Sequence, residues 1–171
     1  GSLLLQLARR AGAERVIAVA GGAEKLEAAR SLGADLGVDY REPGWAGMVR
    51  EATGGRGADI VYDTVGGAVT RACLDALAPA GELVFAALGR YELTVAELEG
   101  MLFRNQSLKG FALLPLLTPE ALRTDLAELF ASAAAGALTV TVGGRYRLDQ
   151  AGEAHRVLEE RRSVGKIVLM P

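Results

Sequence analysis

The stretch RVIAVAGGAEK, residues 15–25, decides the fold. Its apolar run Val16–Ala20 contains no alternating polar residue, which is typical of a strand whose sheet is covered by helices on both faces. Gly21 and Gly22 end this predicted strand in a turn that tolerates positive φ and close approach of a ligand to the backbone. A predicted helix opens at Ala23. A strand, a glycine turn and a helix amino terminus together favour an anion-binding corner.

Strands and helices alternate on both sides of this stretch. The apolar spacing predicts helices at residues 1–11, 23–32, 44–52, 68–77, 95–103, 119–135 and 149–161. Short apolar runs predict further strands at residues 36–40, 59–63, 82–87, 108–113, 139–142 and 165–170, with a turn at 79–81. Thr94 and Glu97 have the spacing of a capping box. This alternation indicates an α/β fold with a doubly wound parallel sheet.

The composition limits the classes of protein to which the chain can belong. Its 171 residues suffice for one domain with a core, and we predict a single domain. The net charge of −2, with no basic stripe, gives no reason to expect nucleic acid, and no apolar run reaches membrane-spanning length. Cys73 and His155 are the single cysteine and histidine, too few for a structural zinc site. A lone cysteine in an apolar helix fits a reduced thiol and a cytoplasmic protein.

The end of the first predicted strand carries no acidic residue. In dinucleotide-binding units, Asp or Glu at this position accepts hydrogen bonds from the ribose hydroxyls and repels a 2′-phosphate. Here the positions are Ala20–Gly22, and Lys25 follows one turn later. An acid-free pocket beside a lysine favours a phosphorylated ribose. A short β–α turn with a solvated lysine is the alternative interpretation.

Two other glycine-bearing strand ends are candidates for the same binding edge, because ligands of open α/β sheets bind at the carboxyl ends of the strands. In the segment 60–67, a buried apolar strand leads into Asp63 and Thr64 and then into two glycines. Gly89 follows another strand. Glycine-rich strand ends also occur for packing alone.

Polar and aromatic residues elsewhere allow two interpretations each. Tyr40 and Arg41 close a predicted strand, where the ring can stack on adenine and the guanidinium can reach a phosphate, or both can be exposed. Arg161, Arg162 and Lys166 cluster near the carboxyl terminus, where a solvated helix end is the alternative.

Several motifs, in order, resemble the cofactor domain of medium-chain dehydrogenases/reductases. The resemblance is narrower to the zinc-free quinone oxidoreductase, or zeta-crystallin-like, branch. The motifs are EKLEAARSLGAD (24–35), VDYRE (38–42), TGGRGADIVYDTVGG (53–67), LVFAALG (83–89) and GKIVLMP (165–171). The resemblance implies a Rossmann-type domain that binds NADPH, in an enzyme that passes hydride to a quinone or another activated, conjugated carbonyl.

The resemblance also implies a set of coenzyme-binding residues. Lys25, Tyr40 and Arg161 match residues around the 2′-phosphate and adenine, and the segments 63–67 and 87–89 match backbone that lines the ribose and nicotinamide. The full predicted set is Gly21, Gly22, Lys25, Tyr40, Asp63, Val65, Gly66, Gly67, Ala87, Leu88, Gly89, Phe111, Arg161 and Lys166. It contains no catalytic residue and no metal ligand.

The family's catalytic domain and first Rossmann strand have no counterpart in these motifs. We therefore expect a sheet lacking its first strand, and a dinucleotide-binding domain over residues 1–171 that is a fragment of a longer protein and inactive alone. In relatives, the strand resembling Leu108–Leu113 often pairs with its copy, so we expect a homodimer. A non-catalytic Rossmann-fold module is one alternative. A domain binding S-adenosylmethionine is another, but it would need an acid at Ala20–Gly22.

Overall fold

Strands and helices alternate along the part of the chain that the computed structural model describes, residues 1–86 and 92–171. The helices are α1 (Ser2–Arg10), α2 (Ala23–Ser31), α3 (Trp45–Ala52), α4 (Ala68–Ala76), α5 (Val95–Phe103), α6 (Pro119–Ala134) and α7 (Ala151–Glu159). The strands are β1 (Ile17–Ala20), β2 (Leu36–Asp39), β3 (Ala58–Asp63), β4 (Leu77–Phe85), β5 (Ser107–Gly110), β6 (Val142–Arg147) and β7 (Lys166–Met170). The predicted alternation is confirmed.

Every strand pair in the described residues is parallel, as predicted. β1 pairs with β2, β3 with β4, β4 with β5, and β6 with β7. No other described strand pairs with β1, or with β3 on its second edge. The described strands therefore form three separate parallel sheets, β1–β2, β3–β4–β5 and β6–β7.

The contacts group the chain into two compact units. The first unit contains residues 1–39 and 119–171, and the second contains residues 40–118. In the first unit, Leu5, Val16, Ala29 and Ala34 form a buried cluster between α1, β1 and α2. α1 supplies Leu5 to this core and Val16 enters it directly before β1, with the partly buried Ala8 and Ala18 packed against the cluster.

The core of the second unit comes from α3, α4 and β4. Leu77 and Leu83 of β4 are fully buried, and Leu74 of α4 is almost so. Cys73 is also buried, which raises the pKa of its thiol to about 12, with a smaller contribution from the negative charge of Asp63. A thiol with this pKa stays protonated at neutral pH, as expected for a packing residue.

The strand β4 begins earlier than predicted. The predicted turn at residues 79–81 is a bulge inside the strand, since Ala58 lies opposite Leu77 while Ile60 lies opposite Glu82. Ala80 takes the left-handed conformation, with φ of 59°, and its N–H donates to the Arg104 carbonyl at 2.8 Å. A Cβ on Gly81 would lie 2.9 Å from the Ala78 carbonyl oxygen, so the bulge admits only glycine there.

The predicted strand at residues 139–142 is wrong, because β6 begins only at Val142. The backbone of Thr139 bonds instead to the side chain of Gln6: Nε2 donates to the Thr139 carbonyl at 3.0 Å, and the Thr139 N–H donates to Oε1 at 2.8 Å. β6 then continues through Gly143, where a Cβ would lie 2.1 Å from the Val164 carbonyl oxygen. That glycine marks a close approach of two backbones.

Other boundaries differ by a few residues. β5 ends at Gly110, and a 3-10 turn at Leu114–Leu116 follows. α7 begins at Ala151 after a 3-10 turn at Leu148–Gln150, whereas the predicted helix started at Asp149. The capping box is confirmed: the Glu97 N–H donates to the Thr94 hydroxyl at 3.2 Å, and the Thr94 N–H donates to the Glu97 carboxylate at 2.6 Å.

The carboxyl group of Asp35 makes the stability of the first unit dependent on pH. Its pKa is lowered, first by the Val16 N–H that it accepts at 2.7 Å and then by the Arg9 guanidinium. A depressed carboxyl pKa stabilises the fold above the ordinary value of about 3.9, and this stabilisation is lost as pH falls through the folded-state pKa.

We therefore expect Asp35→Asn to lower the free energy of unfolding at neutral pH and to approach the wild type in acid, once the pH lies below the depressed pKa of Asp35. Urea denaturation at the two pH values measures the difference. Asp125→Asn, which changes an exposed carboxyl on α6, should have little effect at either pH. A deficit for Asp35→Asn that persisted undiminished in acid would contradict the linkage.

Candidate functional site

The turn between β1 and α2 is open to a ligand. Gly22 precedes the helix with φ of 98° and ψ of 149°, a conformation that requires glycine, and no side chain caps the helix amino terminus. Both Gly21 and Gly22 are partly exposed. The positive end of the helix dipole and the uncapped first turn favour an anion at this corner.

Lys25 places its charge at the first turn of the same helix. Its side chain is partly buried, and its Nζ donates to the backbone carbonyl of Arg161. The two residues are 136 positions apart in sequence and belong to the same unit. The structure therefore brings together Lys25 and Arg161, two of the residues predicted to surround a phosphate.

Arg161 takes an unusual backbone conformation at the end of α7. Its φ is 55°, its N–H donates to the Leu158 carbonyl at 3.0 Å, and the N–H of Arg162 donates to the Val157 carbonyl at 3.0 Å. This is the Schellman motif, whose left-handed position is usually glycine. A non-glycine residue held there is strained by about 1 kcal/mol, and such strain is found at functional sites. The Arg161 side chain is exposed, and its backbone carbonyl is the acceptor of the Lys25 ammonium.

Replacement of Arg161 by Gly should therefore stabilise the fold while it removes a cation. We expect the free energy of unfolding to rise by about 0.5–1 kcal/mol, because glycine takes the left-handed conformation without strain. Urea denaturation measures this change. The control is Arg162→Gly, which removes a neighbouring cation paired with Glu160 at 2.5 Å and should destabilise instead. Destabilisation by Arg161→Gly would show that its side chain matters more for folding than its backbone strain.

An acidic residue reaches the corner from the neighbouring strand. Asp39, at the end of β2, accepts a hydrogen bond from the Gly22 N–H on Oδ2 at 2.9 Å. The expectation of a carboxylate-free corner is thus correct for residues 20–22 but wrong for the folded corner. The reason is that β1 and β2 are parallel and in register, with Ala20 opposite Asp39, so their carboxyl ends lie side by side.

A second predicted group lies at the end of β3, in the other unit. Asp63 is buried, and its Oδ1 accepts the N–H groups of Val65 at 2.8 Å and Gly66 at 3.0 Å. Its Oδ2 accepts the hydroxyl of Thr70, which is also buried. Gly66 and Gly67 follow with φ of 81° and 66°. This carboxylate holds the turn that leads into α4.

Thr70 is the residue of this group that the sequence analysis missed. It lies seven positions after Asp63 and inside α4. A polar residue on the otherwise apolar face that carries Cys73 and Leu74 was the signal that could have indicated it.

Three further predicted residues lie at the ends of strands. Tyr40 is partly buried and follows β2 directly. Phe111 is exposed, and its N–H donates to the Phe85 carbonyl at 2.9 Å. Lys166 is exposed at the start of β7, where its N–H donates to the Thr141 carbonyl at 2.8 Å. Ala87, Leu88 and Gly89 fall outside the described residues.

Residues 1–86 and 92–171 offer neither a metal site nor a membrane-spanning helix. There, no group of three or more histidine, cysteine, aspartate or glutamate side chains is placed to hold a metal ion. None of the helices in these residues has the length and apolar character needed to cross a bilayer.

Comparison with known proteins places this geometry in context. Residues 32–169 match the family described as zinc-binding dehydrogenase. A 2-haloacrylate reductase of a Burkholderia species is 33% identical over 100% of this chain and 52% of its own length. A quinone oxidoreductase of Salmonella typhimurium is 34% identical over 100% of this chain and 53% of its own length. The chain thus spans about half the length of these curated relatives.

The fold has a solved counterpart. A mycobacterial protein complexed with NADPH superposes with a TM-score of 0.89 at 38% identity, over 100% of this chain and 54% of that one. The parallel α/β arrangement is therefore of the Rossmann type, as predicted.

Proposed function

The chain belongs to the zinc-binding dehydrogenase family, and from this premise we propose that it is the NADPH-binding part of an oxidoreductase. The substrates of that enzyme are quinones or other activated, conjugated carbonyls. The relatives named for quinone oxidation–reduction and haloacrylate reduction support this substrate class and fit the zinc-free branch of the family. The related structure complexed with NADPH supports the coenzyme.

The observation that carries the proposal is the corner built by Gly22, Lys25 and Arg161. A flexible glycine turn, an uncapped helix amino terminus and a lysine ammonium in one place suit a phosphate group. The Lys25 ammonium is held by a neutral carbonyl oxygen, from which it can turn to a phosphate oxygen. The residues present therefore fit the 2′-phosphate of NADPH.

When bound, NADPH supplies the hydride for reduction. The chain's own residues Gly22, Lys25 and Arg161 bind and orient the coenzyme at its adenosine phosphate.

The proposal extends to a homodimer formed through β5. Ser107–Gly110 are all exposed and β5 pairs with β4 only, among the strands described, so one edge is available to a second copy. Leu108 and Leu113 add apolar surface, at 39% and 57% exposed. Sedimentation equilibrium tests this part, and a monomer at all concentrations would exclude it.

We also propose a cytoplasmic location, which the reduced, buried Cys73 supports.

Titration of the protein with NADPH and with NADH, followed by nicotinamide fluorescence, tests the main proposal. We expect NADPH to bind at least about tenfold more tightly, because one additional charged phosphate is paired. Equal affinity for the two coenzymes would contradict the phosphate corner. Binding of neither would favour a non-catalytic module.

A further inference from the structure

The Asp39 side chain both accepts a hydrogen bond from Gly22 and carries a negative charge at the corner. The carboxylate accepts the N–H of the residue that must hold φ of 98° for the corner to form. Both residues belong to the same unit and both are partly buried. Asp39 therefore fixes the backbone of the turn, which any dinucleotide bound there would use.

The same side chain brings negative charge to a corner that otherwise attracts anions. The amino terminus of α2 and the Lys25 ammonium favour an anion, whereas the Asp39 carboxylate opposes one. NADPH and NADH share the pyrophosphate and differ by the 2′-phosphate. The charge of Asp39 therefore acts on the difference between the two coenzymes, while its hydrogen bond acts on both alike.

We propose that Asp39 is a specificity-determining residue that limits the preference for NADPH over NADH. Its hydrogen bond to Gly22 orders the corner for either coenzyme, and its charge weakens the binding of the additional phosphate. The inference rests on the proposed function, since it concerns coenzyme choice at the proposed site. The proposal gives Asp39, at the end of β2, a role in coenzyme choice that residues 20–25 of the corner do not reveal.

The variant Asp39→Asn separates charge from hydrogen bonding. The asparagine carbonyl can still accept the Gly22 N–H, but the negative charge is gone. We expect the ratio of the two dissociation constants to move toward NADPH by about three- to thirtyfold, and to move less at high salt. Asp39→Ser also offers a neutral oxygen and should shift the ratio in the same direction. Asp39→Ala removes the acceptor and should weaken both coenzymes.

Glu27→Gln is the matched control. It removes the same charge from α2 one turn further on, where the Glu27 side chain is 76% exposed and pairs with Arg30 at 3.3 Å. The ratio should stay within about twofold of the wild type, because exposed charges are screened. Thermal unfolding of each variant shows that the fold is retained before binding is measured.

The outcomes separate this inference from the proposed function. If both coenzymes bind and Asp39→Asn leaves their ratio unchanged, or weakens both equally, the charge of Asp39 does not select the coenzyme and the inference is wrong. If the wild type binds neither coenzyme, the proposed function fails and the inference falls with it. A shift toward NADPH in Asp39→Asn, absent in Glu27→Gln, supports it.

Discussion

Replacement of Lys25 by Glu should weaken the binding of NADPH by about a hundredfold or more and that of NADH by less than about threefold. The substitution removes the ammonium that lies at the first turn of α2 and places a carboxylate there instead. Asp39 already contributes one negative charge at the corner through its bond to Gly22. A second carboxylate would repel the phosphate, whereas the Lys25 ammonium of the wild type attracts it.

The ratio of the two affinities isolates this effect from any loss of structure. Lys25→Glu also breaks the bond to the Arg161 carbonyl, which loosens the corner for both coenzymes alike. Lys25→Met removes the charge without reversing it, so its NADPH affinity should fall by about tenfold, between the two extremes. Titration by nicotinamide fluorescence measures all three proteins. An equal response of NADPH and NADH would mean that Lys25 does not contact the phosphate.

Replacement of Asp63 by Ala should lower the free energy of unfolding by about 3 kcal/mol or more. The carboxylate is 2% exposed and accepts the N–H groups of Val65 and Gly66 and the hydroxyl of Thr70. Alanine would leave these three donors without their acceptor in a buried place. Each buried donor left without an acceptor is expected to lower the free energy of unfolding by about 1–3 kcal/mol. Water that enters the site offsets part of this loss. Urea denaturation measures the change.

Two variants in α4 serve as controls for Asp63. Thr70→Val keeps the shape of a buried side chain and removes one donor, so its loss should be smaller than that of Asp63→Ala. Asp75→Ala removes an exposed carboxylate from the same helix and should change stability by less than about 0.5 kcal/mol. A loss below about 1 kcal/mol for Asp63→Ala would show that the turn holds without its carboxylate.

The sequence predicted the features that depend on neighbouring residues. The strand at residues 16–20, the glycine turn after it and the capping box of Thr94 are each specified within a few positions. The turn after Asp63 follows the same rule, because its carboxylate accepts from residues two and three positions later. Parallel topology alone predicts that the candidate site lies at the carboxyl ends of the strands.

The features that the sequence did not predict depend on residues far apart. Asp39 reaches Gly22 across 17 positions, and Gln6 bonds the backbone of Thr139 across 133. Neither pair has a local pattern, because the contact exists only after strands and helices pack. The bulge at Ala80 was not predicted for the same reason. The Ala80 N–H donates to the carbonyl of Arg104, which lies at the end of α5.

The division of the chain into two units has a consequence for its biosynthesis. The unit of residues 40–118 is continuous, whereas the other is assembled from the two ends of the chain. A ribosome adds about 5–20 residues per second. Arg161 is 136 residues after Lys25, so it is added about 7–27 s later. We expect the continuous unit to fold first, while the β1–β2 pair waits for residues 119–171. A nascent chain therefore gains the ability to hold its coenzyme only after Arg161 has been synthesised.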